Sequence, residues 1–527
     1  MQHSRPGGPG QEVLQGRLHH VHALREELPG EGHFPGPGRD RHRPCEVRAA
    51  LQVHRGLPAE VHPDGAARDA PIAKGRGRGS MKQAAAGFPR GGVHPAEGKE
   101  VSLGTEVVRV EAPQKIVVQV TQHLGKPSKV AIQKGDVVRV GQLLASADGP
   151  VSSPVHSPVS GKVLKISGAP VVGAIQGECI EVVNDGKNEG AEEFTRPPVV
   201  DWASRDAFLA RIRDAGVVGM GGAAFPTAVK LSPPGDARVD CLVLNGCECE
   251  PYLTADDTLM RTRPDDVMAG AVIMASVLAV QRILIGIEEN KPRAIEAMEA
   301  AARMGGYRRC FQGEGPSPEV RVIPLRTRYP QGAEKQLIDA LLHRRVGSGK
   351  LPFSVGVVVQ NVATAAAAFE AVALGKPLFE RIVTVSGGAA NRPGNYQVKV
   401  GTPLSALVEA AGGAKETLRA MIAGGPMMGK SLRALDAPVT KAFSGLLLLD
   451  DREARAFSER DCIRCGRCVD ACPMGLSPCE ITALAEYSQW EPAVVCGALD
   501  CVECGSCQYV CPARRHLVAR IRLTKLY

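Results

Sequence analysis

The sequence predicts a multidomain α/β protein, and three observations carry that reading. From 199 to 378, strand-type and helix-type segments alternate. From 91 to 190, short apolar runs are broken by Gly and Pro turns with no helical period. Ten of the sixteen cysteines fall between 462 and 511. A chain of 527 residues accommodates about three or four domains, and 44% apolar content is ordinary for a soluble protein. The net charge of +8 is modest for this length and does not by itself argue for nucleic acid. The longest apolar stretch, Met268–Val280, is shorter than the roughly 20 residues of a membrane span and reads as a buried helix. No apolar leader stands at the N-terminus, so export is not expected.

Residues 1–80 differ from the rest. They hold eight of the thirteen histidines, nine prolines and thirteen glycines, with no period of either strand or helix. Such a segment buries no core and is expected to be disordered, or to be upstream DNA read as protein ahead of a native start at Met81. A histidine-rich metal tail is the functional alternative. Peptides from 1–80 in a mass spectrum of the native protein would overturn the upstream-DNA reading.

The first folded domain, 81–198, is expected to be all-β. Lys115–Val120 reads as a strand, Q-K-G-D-V-V-R-V-G-Q-L-L-A (133–145) as turn, strand and turn, and S-P-V-S-G-K-V-L-K-I (157–166) as a return strand. This pattern resembles the barrel-sandwich domain of lipoyl and biotinyl carriers. Those carriers present a lysine in a tight hairpin, whereas the matching stretch here, D-G-P-V-S-S-P (148–154), has none. A structural barrel is therefore expected rather than a swinging arm.

The next domain, 199–378, is expected to be a Rossmann-like parallel sheet covered by helices. Its strands are read as Val239–Leu244, Arg282–Ile287, Glu319–Leu325 and Ser354–Val359. In such sheets ligands bind at the carboxyl ends of the strands. Residues 379–448 combine R-I-V-T-V-S-G, Y-Q-V-K-V-G and a helix-like P-L-S-A-L-V-E-A-A into a small α+β module. The C-terminal domain, 449–527, holds the cysteines. Its tail, 513–527, is basic with interleaved apolar residues and fits either a contact with anionic lipid or an acidic partner, or a solvated helix end.

The cysteines form two C-x2-C-x2-C-x3-C-P runs, Cys462, Cys465, Cys468, Cys472 and Cys501, Cys504, Cys507, Cys511. Thiolates at this spacing are iron–sulfur ligands, and in two-cluster ferredoxin-like folds the fourth cysteine of each run serves the other cluster. Cluster 1 is accordingly assigned to Cys462, Cys465, Cys468 and Cys511, and cluster 2 to Cys472, Cys501, Cys504 and Cys507. Two four-cysteine zinc sites are the competing reading. Cys479 and Cys496 lie outside the rhythm.

Three further motifs sit where a ligand crevice is expected. G-M-G-G-A-A-F-P-T-A-V-K (219–230) offers Gly219, Gly221 and Gly222 for close backbone approach, a helix N-terminus after Pro226-Thr227 for a phosphate, and the charge of Lys230. It equally fits a plain tight turn, and it is not a Walker loop. N-G-C-E-C-E-P (245–251) follows a strand and crowds Asn245, Glu248 and Glu250 together, which also fits a solvated acidic loop. Q-N-V-A-T (360–364) ends another strand with Asn361 and Thr364, where a helix cap is the alternative.

Taken in this order, the motifs resemble the flavin-binding subunit of respiratory complex I. The stretch V-S-G-G-A-A-N-R-P-G-N-Y-Q-V-K-V-G-T-P-L (385–404) resembles its SLBB module. The opening G-G-V-H-P (91–95), the barrel ahead of the flavin fold and the second cluster resemble more closely the RnfC/RsxC family of the Rnf/Rsx electron-transport complexes, over about residues 87–515. The resemblance implies that Gly219, Gly221, Gly222, Lys230, Asn245, Glu248, Asn361 and Thr364 line FMN. It also implies that Y-P-Q-G-A-E-K-Q-L-I (329–338) shapes an NAD(H) site in which Ala333 replaces the first of two acids and Glu334 remains. Cys247 likewise replaces an acid.

The implied function is a peripheral subunit passing electrons between NAD(H), FMN and two 4Fe–4S clusters, in a complex that moves ions across a membrane. Its implied partners are integral membrane subunits and a ferredoxin-like subunit, on the cytoplasmic side of the inner membrane. Two rivals differ in class. One is a soluble flavin and iron–sulfur subunit of an NAD-dependent hydrogenase or formate dehydrogenase. The other is a non-enzymatic, metal-stabilised nucleic-acid-binding protein, which predicts zinc, no flavin and salt-sensitive DNA binding.

Overall fold

The computed structural model describes residues 85–527 except 196, 203, 236, 314 and 455–457. The expectations for 1–80 lie outside the described residues.

The barrel is built from two antiparallel sheets. One orders Lys115–Gln119, Ala174–Asn184, Gly161–Val171 and Val137–Val138; the other orders Lys129–Val130, Leu143–Ser146 and Val155–His156. Alternation explains the sandwich: Ile116, Val118, Leu144, Val163, Ile180 and Val182 all point into one core. The lysine-free stretch 148–154 joins Leu143–Ser146 to its antiparallel partner Val155–His156.

The α/β domain that follows is a four-stranded parallel sheet ordered Glu319–Leu325, Arg282–Glu288, Cys241–Asn245, Val357–Asn361. The fourth strand starts later than the sequence suggests, because Pro352–Val355 forms a 3-10 turn and Gly356 takes a positive φ of 77° before extended backbone begins. Met268–Val280 falls in the buried helix Pro264–Leu278 and the two residues after it. That helix packs on Val362–Leu374 so closely that a Cβ on Gly270 would lie 1.8 Å from the Ala365 carbonyl oxygen.

The small α+β module centres on a six-stranded mixed sheet. Glu380–Ser386 pairs antiparallel with Gly394–Lys399 and parallel with Gly445–Leu449, and Ala420–Ala423 with Lys430–Leu432 extends that side. Its other edge is Val107–Arg109, pairing parallel with Asn395–Gln397. This strand precedes the barrel in sequence but pairs with a strand nearly three hundred residues later, so its sequence neighbourhood gives no sign of its partner.

The cysteine domain repeats itself. Arg467–Asp470 and Pro478–Glu486 in the first half correspond to Ser506–Tyr509 and Leu517–Leu526 in the second. The tail forms the last of these helices, burying Leu517, Val518, Ile521 and Thr524. Its basic groups pair within the chain: Arg520 with Glu459, and Arg522 and Lys525 with Glu503. No helix among the described residues is long and apolar enough to cross a membrane.

Candidate functional site

Asn245 and Asn361 stand opposite each other at the carboxyl ends of neighbouring parallel strands. Chain order reverses between these strands, since Arg282–Glu288 and Glu319–Leu325 extend away on the far side of Cys241–Asn245. A ligand crevice is expected at such a switch point. Asn361 caps the helix Val362–Leu374 by accepting from Ala363 N, while its Nδ2 donates to Asp256 Oδ2 at 2.7 Å. Asn245 Nδ2 donates to the Gly332 carbonyl at 2.8 Å, bringing the 329–338 loop to the same edge.

The glycine-rich loop lies over this edge. Met220 N donates to Thr364 Oγ1 at 2.9 Å, and a Cβ on Gly221 would meet Asn361 at 3.3 Å. Gly222, at φ +118°, faces open space within 4 Å of where its Cβ would be. Lys230 Nζ pairs with Glu334 Oε1 at 2.5 Å, so the two charged candidates sit together. The helix expected after Pro226 is a single turn, Thr227–Lys230. One turn sums little of a helix dipole, and the loop ahead of it is closed on itself by a Gly219 N to Phe225 O bond. Thr364 is fully buried and holds the loop rather than opening onto it.

Glu248, at a positive φ of 44°, turns its carboxylate back to accept from Asp256 N at 2.7 Å and Asp257 N at 3.2 Å. It thereby caps the helix Ala255–Thr262. Burial pushes its pKa up, with Asp256 adding to the rise and Lys99 and Lys291 opposing it. Beneath the loop, Lys99 donates to the carbonyls of Glu248, Glu250 and Leu253, and Lys291 pairs with Glu288 at 3.3 Å. Asp256, Lys99, Glu288 and Lys291 carry no mark in the sequence that would single them out. Asp256 falls within the acidic stretch after N-G-C-E-C-E-P; the others come from distant segments with no shared motif.

Glu250 leaves the crevice and accepts from Met427 N and Met428 N, at 3.0 and 2.9 Å. Burial raises its pKa to about 7. Tyr329, the first residue of the 329–338 motif, turns its Oη toward the cysteine domain and donates to the Cys504 carbonyl at 2.7 Å. Val93, Cys249, Tyr329, Met427, Ala471 and Cys504 share one apolar contact, which seats the cysteine domain against the flavin-type loops.

Both cysteine runs fold alike. Arg464 and Glu503 take positive φ and donate their N–H groups to the sulfurs of Cys462 and Cys501. Gly466 and Gly505 follow at φ 75° and 81°. Cys472 acts electrostatically on Cys501, Cys504 and Cys507, and Cys507 acts on Cys468, so the two runs face each other. Cys468, Cys507 and Cys511 share an apolar cluster, while Cys462 and Cys465 are exposed. Amide-bonded thiolates grouped across two runs fit the donor set of paired cubane clusters. Among the described residues no three ligand-type side chains converge as around a single metal ion. Cys479 packs against the apolar cluster that holds Cys468, with Ser477 Oγ 3.7 Å from its sulfur.

Four family models match the chain: the RnfC barrel sandwich hybrid domain at 88–187, the Nuo51 FMN-binding domain at 212–370, the SLBB domain at 382–431 and a 4Fe-4S dicluster domain at 461–514. The chain is 44% identical over 406 residues to the C subunit of the proton-translocating ferredoxin:NAD(+) oxidoreductase complex of Clostridium ljungdahlii, with 77% of this chain and 86% of that one covered. It is 39% identical over 436 residues to the Na(+)-translocating counterpart of Acetobacterium woodii, with 83% and 96% covered. The chain belongs to the RnfC family of ion-translocating ferredoxin:NAD(+) oxidoreductases. A third relative, the corresponding protein of the ion-translocating oxidoreductase complex of Rhodobacter capsulatus, is 38% identical over 412 residues, with 78% and 77% covered. As an RnfC family member the chain is an electron-transfer subunit with an FMN-binding domain and a two-cluster domain. The soluble-hydrogenase and nucleic-acid readings give way to this membership.

Proposed function

We propose that this RnfC-type subunit passes electrons between NAD(H) and membrane partners. FMN would lie in the crevice of Gly219, Gly221, Gly222, Lys230, Asn245 and Asn361, with Glu248 and Thr364 holding that crevice from behind. FMN, when bound, supplies the exchange between a two-electron hydride and single electrons that the clusters carry. The observation that carries this reading is the convergence of Asn245, Asn361 and the glycine-rich loop at one sheet edge.

The chain's own residues position and tune. Gly222 leaves backbone room for a ligand, and Lys230 with Glu334 places one charge pair at the mouth, where NAD(H) would enter. Cys462, Cys465, Cys468 and Cys511 would hold one cluster, and Cys472, Cys501, Cys504 and Cys507 the other. The second set lies nearer the flavin loops, through Tyr329 and Cys504. Integral membrane subunits and a ferredoxin-like subunit on the cytoplasmic side of the inner membrane would complete the path.

Anaerobic purification with optical and EPR spectra tests this. About eight irons and one FMN per chain are expected for two 4Fe–4S clusters and a flavin. Iron near zero, or two zinc ions per chain, would refute it.

A further inference from the structure

The barrel has no carrier lysine in its hairpin, yet it is fastened to the glycine-rich loop and to the turn just before it. On the loop, Leu124 N donates to the Ala224 carbonyl at 3.1 Å. Ala224 is a non-glycine residue at φ 51°, a conformation that costs an alanine and persists only where the surroundings hold it. At the turn before it, Lys441 Nζ donates to Pro154 O of the barrel hairpin and to Gly216 O, each at 2.7 Å. Gly216, at φ +65°, could carry no side chain there: its Cβ would stand 2.4 Å from Pro154 O.

The barrel segment that makes the first contact is itself held by the hairpin. Lys126 N donates to Val151 O at 2.9 Å, Ser152 Oγ meets His123 Nε2 at 3.2 Å, and a Cβ on Gly125 would fall 2.1 Å from Val151 O. The hairpin that carries a cofactor in the carrier proteins is here packed against a neighbouring domain.

We propose that the barrel-sandwich domain is a clamp that sets the conformation of the flavin loop, with the Leu124 N–H and the 148–154 hairpin as its positioning elements. This rests on the reading that FMN binds over Gly219–Gly222. The clamp holds Ala224 in its left-handed turn, which keeps Gly222 facing open space. A loosened loop has to be ordered again by FMN, at the expense of affinity.

Leu124→Pro in the full chain removes the donor. Loss of one hydrogen bond of about 1 kcal/mol predicts FMN binding about five-fold weaker. The flavin midpoint potential is expected to shift, and the iron content to stay at the wild-type value. Leu124→Ala, which restores the N–H, brings FMN affinity back. Gly125→Ala displaces the same segment by a different route and is expected to act like Leu124→Pro. Hydrogen exchange reads the clamp without flavin: amides of 219–225 exchange faster in Leu124→Pro and Gly125→Ala while the barrel strands keep their protection. Unchanged FMN affinity and unchanged exchange at 219–225 in both variants would overturn the clamp. A wild-type chain that takes up no FMN would instead overturn the flavin reading, and exchange at 219–225 would still judge the clamp.

Discussion

Lys441 buries an ammonium against two carbonyl oxygens, and burial alone depresses its pKa from 10.5 to about 7. His123 and His156 face it and are themselves held toward the neutral form by burial and by this charge, His156 down to about 3. Below pH 7 the lysine is protonated in both folded and unfolded chains, and the penalty is constant. Between about 7 and 10.5 the unfolded chain binds the extra proton, so this group makes stability rise with pH across that window. Lys441→Met is expected to lose that rise, seen as a flatter denaturation midpoint from pH 7 to 10. Tyr329 poses a simpler case. Tyr329→Phe leaves the Cys504 carbonyl without its donor and is expected to cost about 1 kcal/mol in denaturant unfolding with iron retained.

At the scale of elements, two devices fix the sites. One is the contact of Pro264–Leu278 on Val362–Leu374 through Gly270. Gly270→Val forces the helices apart beneath Asn361 and Thr364; a loss of about 3 kcal/mol or more is expected, with FMN lost alongside, measured by melting and by flavin release. The other device is the exchange of fourth cysteines. Cys472→Ala is expected to damage the cluster of Cys501, Cys504 and Cys507 and to spare the EPR signal of the other. Loss confined to the cluster of Cys462, Cys465 and Cys468 would contradict the crossed assignment. These cysteines are legible in the sequence because their spacing is local, and Glu319–Leu325 is legible because a β-branched run meets its own boundaries. The partners of Val107–Arg109, Tyr329, Lys99 and Lys441 are not, because each lies more than a hundred residues away. The glycine-rich loop is visible as a motif, but its hold by Thr364 and by the barrel is tertiary and leaves no period to read.

Across the whole molecule, stability is unevenly supplied. The α/β domain owns a continuous core running from Phe208 through Met268, Ile285 and Phe369, closed by long buried helices. The cysteine domain has two small apolar groups, one around Leu517 and Val518 and one around Ile481, Ala493 and Ile521, under helices of four to ten residues. So small a core does not balance the chain entropy it must restrain, and cluster ligation is expected to supply the difference. Removing iron with a chelator under oxidising conditions should therefore unfold 460–527 while the α/β domain stays folded. Hydrogen exchange on the chelated chain is expected to show protection lost over Pro478–Glu486 and Leu517–Leu526 and kept over Pro264–Leu278 and Val362–Leu374. The contact through Tyr329, Ala471 and Cys504 then sets how far the loss spreads. It should reach the 245–251 loop, through Cys249 and Glu250, before it reaches the sheet. Protection kept throughout would mean that packing alone holds the cysteine domain, and the clusters would then be passengers in the fold.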